Sequence, residues 1–121
     1  MSNVDNIIEK YLEFFHHNQI DLKSKFLIAV SGGLDSMTVL DISERCGLNI
    51  SVAHINYGLR GEENVHEKKL VEQYCKNKNI KLHKKDAQIN SSENLQNEAR
   101  KIRYSFFNEI LNHQNLDYII T

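Results

Sequence analysis

Phe26-Leu27-Ile28-Ala29-Val30-Ser31-Gly32-Gly33-Leu34-Asp35-Ser36-Met37-Thr38-Val39-Leu40 is the stretch on which the fold turns. Its first five residues form a short apolar run of β-forming type, as a strand buried on both faces shows. Met37 to Ile42 continues as a helix. A strand that ends in two glycines and enters a helix leaves several backbone N–H groups free and converging. The helix dipole adds partial positive charge at the same place, so this turn is a phosphate cradle. Gly32 and Gly33 allow positive φ and close approach of a ligand to the backbone. Ser31 and Ser36 add hydroxyls, and Asp35 either caps the helix or holds a cation. The plain alternative is an ordinary strand–helix turn with Asp35 or Ser36 as its cap.

Downstream, Cys46-Gly47 closes the helix, with Gly47 as a C′ glycine, and Asn49 to Ile55 reads as a second strand. Strand, helix of about ten residues and strand make a βαβ unit. The loop Asn56-Tyr57-Gly58-Leu59-Arg60-Gly61 leaves the carboxyl end of strand two, the edge where open α/β sheets bind ligands. His54 and Arg60 are therefore candidate ligand contacts, Arg60 because a guanidinium pairs with phosphate or a carboxylate. Val65–Lys78 reads as a third helix with Leu70, Val71 and Tyr74 inward. Ile80–Asp86 reads as a polar edge strand, whose Lys81, Lys84 and Lys85 suit either edge protection or RNA. Asn90-Ser91-Ser92 offers caps for a helix with Leu95, Ala99, Ile102, Phe106 and Ile110 on one stripe. Arg100 and Arg103 lie one turn apart beside that stripe. Leu116–Thr121 is a fourth strand, and upstream Val4, Ile7, Ile8, Tyr11, Leu12 and Phe15 give an amphipathic helix.

The expected architecture is α/β: a Rossmann-like three-layer sandwich around a parallel sheet of about four strands, in one domain of 121 residues. Net charge is −1, which gives no nucleic-acid signal for the chain as a whole. The distribution is uneven: residues 60–103 hold eleven Lys/Arg against seven Asp/Glu, and residues 1–59 hold four against seven. No apolar run reaches membrane-spanning length, and residues 1–20 carry no signal-peptide pattern. Cys46 and Cys75 are far apart and read as two buried free thiols. A cytoplasmic location is expected.

Ser-Gly-Gly-x-Asp-Ser lacks the Lys-Ser/Thr of a Walker A loop and the third glycine of a dinucleotide turn. It resembles the pyrophosphate loop (PP-loop) of the ATP pyrophosphatases, which split ATP into AMP and pyrophosphate. Two further stretches narrow the resemblance: His54-Ile55-Asn56-Tyr57-Gly58-Leu59-Arg60-Gly61-Glu62-Glu63 and Asn94-Leu95-Gln96-Asn97-Glu98-Ala99-Arg100-Lys101-Ile102-Arg103-Tyr104. In this order they are similar to the amino-terminal domain of the bacterial tRNA(Ile)-lysidine synthase family, from Phe26 to Thr121. Tyr57 stands where that family commonly has a second histidine, and Gln96 where it often has glutamate. A His-His-x-Asp-Asp motif that would follow Thr121 is not in the chain, so an incomplete N-terminal piece is expected, inactive by itself.

The resemblance implies ATP and Mg²⁺ as cofactors. It implies tRNA(Ile) with a CAU anticodon and free L-lysine as partners, with a homodimer open for the full-length protein. ATP would activate the C2 carbonyl of the wobble cytidine as an adenylate, and the ε-amine of lysine would then displace AMP. Ser31, Gly32, Gly33, Leu34, Asp35 and Ser36 would hold the departing pyrophosphate, with Mg²⁺ at Asp35. His54, Ile55 and Asn56 would line the adenosine pocket. Asp35 and Arg100 would be catalytic, Arg100 steadying the α-phosphate, and Arg103 would be mainly structural. The alternatives are another PP-loop ATP pyrophosphatase, such as a tRNA thiolase or an amidotransferase-type synthetase, and a non-catalytic adenine-nucleotide-binding module.

Overall fold

A computed structural model describes residues 3–57, 62–87 and 95–121, apart from the side chains of residues 4 and 62–64. Helices and strands alternate along the chain: α1 Asn3–His17, β1 Lys25–Ala29, α2 Leu34–Arg45, β2 Asn49–Asn56, α3 Glu62–Lys78, β3 Lys81–Asp86, α4 Leu95–Gln114 and β4 Tyr118–Ile120. The strands form one parallel sheet in the order β3-β2-β1-β4. β1 is central, as its unbroken apolar run requires, and Phe26, Leu27 and Ile28 are fully buried. Each such side chain contributes about 1.5–3 kcal/mol by leaving water.

The two-residue alternation of the strands divides the core. Ile28, Val30 and Val52 meet Leu40 of α2 and Val71 and Cys75 of α3 on one face. Leu27 and Ala53 meet Phe107 and Ile110 of α4 on the other. α1 closes the first face through Phe15, which packs on Phe26 and Leu48. Its Tyr11 hydroxyl donates to Ser43 Oγ at 2.7 Å, and Ser43 in turn donates to the Val39 carbonyl. The chain crosses from β1 to β2 to β3 in one direction over the α2/α3 face. It then returns from β3 to β4 over the α4 face. Reversing both direction and face preserves the hand, so the three crossovers share one hand, as parallel sheets demand.

The return puts β4 beside β1 and creates a switch point between β1 and β4, where open α/β sheets take ligands. Two contacts tie the far edge: the Asp117 amide donates to the Lys25 carbonyl, and the Lys25 amide to Asp117 Oδ2, both at 2.8 Å.

At that far edge the helices end alike. The amides of Ile20, Leu48, Ile80 and Leu116 reach back to the carbonyls of Phe15, Ser43, Cys75 and Leu111 at 2.8, 3.3, 2.8 and 3.1 Å. The residue before each has positive φ: Gln19, Gly47, Asn79 and Asn115. These are Schellman-type closures, and the apolar residue after each left-handed position enters the core.

Several sequence expectations shift. Ile7 of the α1 stripe is 48% exposed, and Leu70 of α3 points outward while Cys75 takes the inward place. Cys46 is half-buried rather than buried. On α4, Phe107 and Ile110 are the buried pair, and Phe106 is only half-buried. Arg60 and the Asn90-Ser91-Ser92 caps lie outside the described residues.

Candidate active site

β1 delivers the chain to the loop at Val30, which is held on both sides by β2. The Val30 amide donates to the Ala53 carbonyl at 2.9 Å, and His54 Nδ1 lies 2.8 Å from the Val30 carbonyl. A carbonyl only accepts, so this imidazole carries its proton on Nδ1 and donates it there. His54 is buried and fixes the exit of β1 into the loop. This is a positioning contact made by its side chain.

The loop itself is braced by its two serines. Ser36 Oγ accepts from the amides of Ser31 and Gly32 at 3.1 and 3.2 Å and donates to the Gly33 carbonyl at 3.1 Å. Ser31 Oγ sits 3.0 Å from Ser36 Oγ and accepts from the Gly33 amide at 3.2 Å. Three loop amides expected to be free are thus occupied by hydroxyls. The open donors are the first-turn amides of α2, at Leu34, Asp35 and Ser36, which have no partner among the described residues. The helix dipole reinforces them.

The two glycines differ. Gly32 has φ +94, and a Cβ there would lie 2.7 Å from Glu67 Cβ and 3.1 Å from the Glu67 backbone, so α3 is what approaches it. Gly33, by contrast, is the N-cap of α2 with φ −75 and ψ 169. A Cβ on Gly33 would meet only Ser31 Oγ at 3.4 Å, so its outer side is open to a ligand. The expectation of positive φ at Gly33 is corrected, and Asp35 is not the cap. Leu34 is 84% exposed, so only its amide faces the cradle's work.

Beside the serines, on the α4 side of the sheet, lies a cavity of about 350 Å³. β1 and β2 supply Ala29, Val30, Ala53 and Ile55, the loop supplies Ser31 and Ser36, and the end of the β4 segment supplies Thr121. Tyr57, Arg103, Tyr104 and Phe107 complete the wall. The Tyr57 hydroxyl donates to the Ala99 carbonyl of α4 at 3.5 Å. Burial raises the Tyr57 pKa, and the nearby Arg103 opposes the rise. The residue that replaces the resembled family's second histidine therefore bridges β2 to α4.

Of the expected nucleotide contacts, Ser31, Ser36 and Ile55 meet at this cavity. Asn56 pairs with β3, its carbonyl accepting from the Ala87 amide at 2.8 Å. Arg100 is exposed, lies 5.5 Å from the Tyr104 ring, and lines a neighbouring depression with Asn97, Glu98, Lys101 and Tyr104. Arg103, read as mainly structural, is the arginine on the cavity wall. Sequence reasoning saw both arginines but not which one the helix rotation turns toward the loop. Tyr104 entered the sequence reading only as the last residue of the Asn94–Tyr104 stretch, and Phe107 lay off the expected stripe.

Among the described residues no three His, Cys, Asp or Glu side chains gather as a metal cluster. Asp35 is one exposed carboxylate on the first turn of α2. Mg²⁺ takes one or two carboxylates together with substrate phosphates, so this sparse donor set fits a cation that arrives with a nucleotide. Burial pushes the Cys75 thiol up to about 11 and raises Cys46 as well. Both stay protonated, and Cys46 sits at the far edge of the sheet, so neither suits thiol chemistry here. No helix among the described residues is long and apolar enough to cross a membrane.

Comparison with known proteins agrees with this geometry. The PP-loop domain family matches residues 3–121. The tRNA(Ile)-lysidine synthase of Clostridium perfringens is 37% identical over 122 residues, covering 92% of this chain and 26% of the relative. That of Malacoplasma penetrans is 43% identical over 95 residues, covering 74% and 31%. The chain thus spans about a quarter to a third of the length of these relatives. Among solved structures, the NH3-dependent NAD synthetase of Campylobacter jejuni aligns with a TM-score of 0.70 over 97% of this chain and 56% of its own. At 19% identity that likeness shows the fold alone.

Proposed function

The chain belongs to the PP-loop domain family, and on that premise we propose that it is the ATP-binding and adenylating part of a tRNA(Ile)-lysidine synthase. The observation that carries the reading is the open first turn of α2. Three amides without a partner among the described residues lie beside two serine hydroxyls, at the mouth of a cavity on the switch point. Donors fixed before the reaction stabilise charge as it develops on the departing pyrophosphate, without reorganisation at that moment. Gly33 keeps the approach clear. The apolar wall of Ala29, Ile55 and Phe107 suits an adenine ring, and Tyr57 holds α4 at the distance that makes the cavity.

Mg²⁺, held by Asp35 and phosphate oxygens, would offset the charge on the phosphates. The α4 helix supplies the cation for the α-phosphate. The resemblance names Arg100 for that catalytic role, and Arg103, which lines the cavity, is read as a contact for bound nucleotide. The cytidine oxygen attacks the α-phosphate, pyrophosphate leaves, and the lysine ε-amine then displaces AMP. Lysidine formation on CAU-anticodon tRNA(Ile), in the cytoplasm, draws on regions that the relatives carry beyond the matched stretch. The thiolase alternative lacks a suitable cysteine among the described residues.

Calorimetry of this chain with ATP–Mg²⁺, and pyrophosphate release, with tRNA and lysine, by a protein of the relatives' full length that carries this domain, test the proposal. ATP binding by the chain, and pyrophosphate release that needs tRNA, are expected. Pyrophosphate release that needs ammonia instead of tRNA would overturn it in favour of an amidotransferase-type synthetase.

A further inference from the structure

The ion pairs of the described residues lie on one side of the sheet. Arg45 pairs with Asp41 within α2, Lys78 of α3 with Glu44 of α2, Lys68 of α3 with Asp86, and Lys84 of β3 with Glu72 of α3. The strand alternation explains the split in the β3 lysine run. Lys84 points to the α3 face and finds a carboxylate, while Lys81 and Lys85 point to the α4 face. There Lys81 donates to the neutral Gln114 amide oxygen at 2.6 Å, and the Lys85 ammonium lies 5.8 Å from the Phe106 ring. Neither meets a carboxylate among the described residues, and neither do Arg100, Lys101 or Arg103 on α4. The carboxylates of α4 itself are Glu98 and Glu109, and they too lack a cationic partner among the described residues. Among the described residues of β3 and α4, five cations without a carboxylate partner against two anions thus lie on the side that carries the nucleotide cavity. Tyr104, 52% exposed, stands between that cavity and the adjoining depression.

We propose that the α4 face, from Lys81 and Lys85 on β3 to Lys101 on α4, is the RNA-binding surface of this domain. This rests on the tRNA reading above. Unpaired lysines along an edge strand neutralise successive phosphates, and their counterions leave on binding. An exposed tyrosine flanked by cations offers a stacking surface to an unpaired base as it enters the cavity. Edge protection alone would account for Lys81 and Lys85 but not for Lys101 or Tyr104.

Anisotropy titration of the chain with a CAU anticodon stem-loop RNA, over a series of salt concentrations, tests the surface. Lys81→Glu/Lys85→Glu is expected to weaken binding about tenfold or more at low salt and to lower the salt slope by about 1.4–1.8. The charge-matched pair Lys69→Glu/Lys76→Glu on α3 is expected to change it less than threefold. Lys81→Gln/Lys85→Gln, which adds no acid, should lose the same slope if the Glu variant fails to fold. Calorimetry with ATP is run on every variant. Equal RNA losses for the β3 and α3 pairs, with ATP binding intact, would overturn the surface and leave the nucleotide reading standing. RNA binding lost only with the β3 pair, by a chain that binds no ATP, would do the reverse. Failure of the wild-type chain to bind the stem-loop, or equal competition by polyglutamate, would also overturn it.

Discussion

The two edges of the sheet treat their backbone donors in opposite ways. At the edge where helices feed strands, the four turns close by one plan, each returning an amide to the helix it has just left. At the edge where strands feed helices, the serine loop spends its amides on Ser31 and Ser36 and leaves the first turn of α2 open. The far edge is finished by the chain itself, and the near edge keeps donors that no described residue takes up. Open α/β sheets bind at the carboxyl ends of their strands because that is where helix N-termini remain unsatisfied.

The contrast breaks most severely at the near edge. Arg100→Ala, in a protein of the relatives' full length that carries this domain, is expected to lower tRNA-dependent pyrophosphate release about 10²–10³-fold, the usual worth of one stabilising donor or charge. ATP affinity and melting temperature should be unchanged. Arg103→Ala should instead raise the ATP Kd about tenfold, because charge-assisted hydrogen bonds carry about 1.5–3 kcal/mol. Calorimetry beside the pyrophosphate assay separates the two arginines. An unchanged ATP Kd for Arg103→Ala would return that residue to a structural role.

The glycines sharpen the comparison by a smaller step. Gly32→Ala forces a Cβ against Glu67 in a left-handed conformation and should cost about 2–3 kcal/mol in chemical denaturation. Gly47→Ala, with nothing within 4 Å of its Cβ, should cost only the left-handed penalty of about 1 kcal/mol. Gly33→Val should leave the melt nearly unchanged and abolish ATP binding, since its open side is the ligand's side. Normal ATP binding by Gly33→Val would place the cradle elsewhere.

The smallest expected effect is at the finished edge. Gln19→Gly, at φ 58, should stabilise the chain by at most about 1 kcal/mol, read as a small rise in melting temperature. A loss instead would mean that the Gln19 side chain does more than occupy its turn.

These differences also set what the sequence made legible. Ser31 to Ser36 announced a strand–cradle–helix unit because glycine and hydroxyl residues there have few other uses. Gly47 was readable as a helix end for the same reason. Gln19, Asn79 and Asn115 fill the same backbone role, but their types permit many others. Strand order was not readable, because a period of two gives the faces of a strand and never its neighbour. Whether Arg103 or Arg100 lines the cavity depends on how α4 is rotated about its own axis, which no propensity encodes. The bridge from Tyr57 to Ala99 joins residues 42 positions apart, beyond any local pattern.

The placement of β4 has a consequence for how the molecule is made and kept. Central β1 pairs early in the chain with β2, but its other edge waits for Phe26 to meet Tyr118, with only three residue pairs in that ladder. Contacts of such separation form late, and a three-residue strand is the first to open. Thr121, immediately after β4, lines the cavity, so docking of the last strand completes its wall. A nucleotide that binds the docked form alone closes this opening by mass action. Saturating ATP should therefore slow hydrogen exchange at Tyr118, Ile119 and Ile120 more than at the already buried amides of β1.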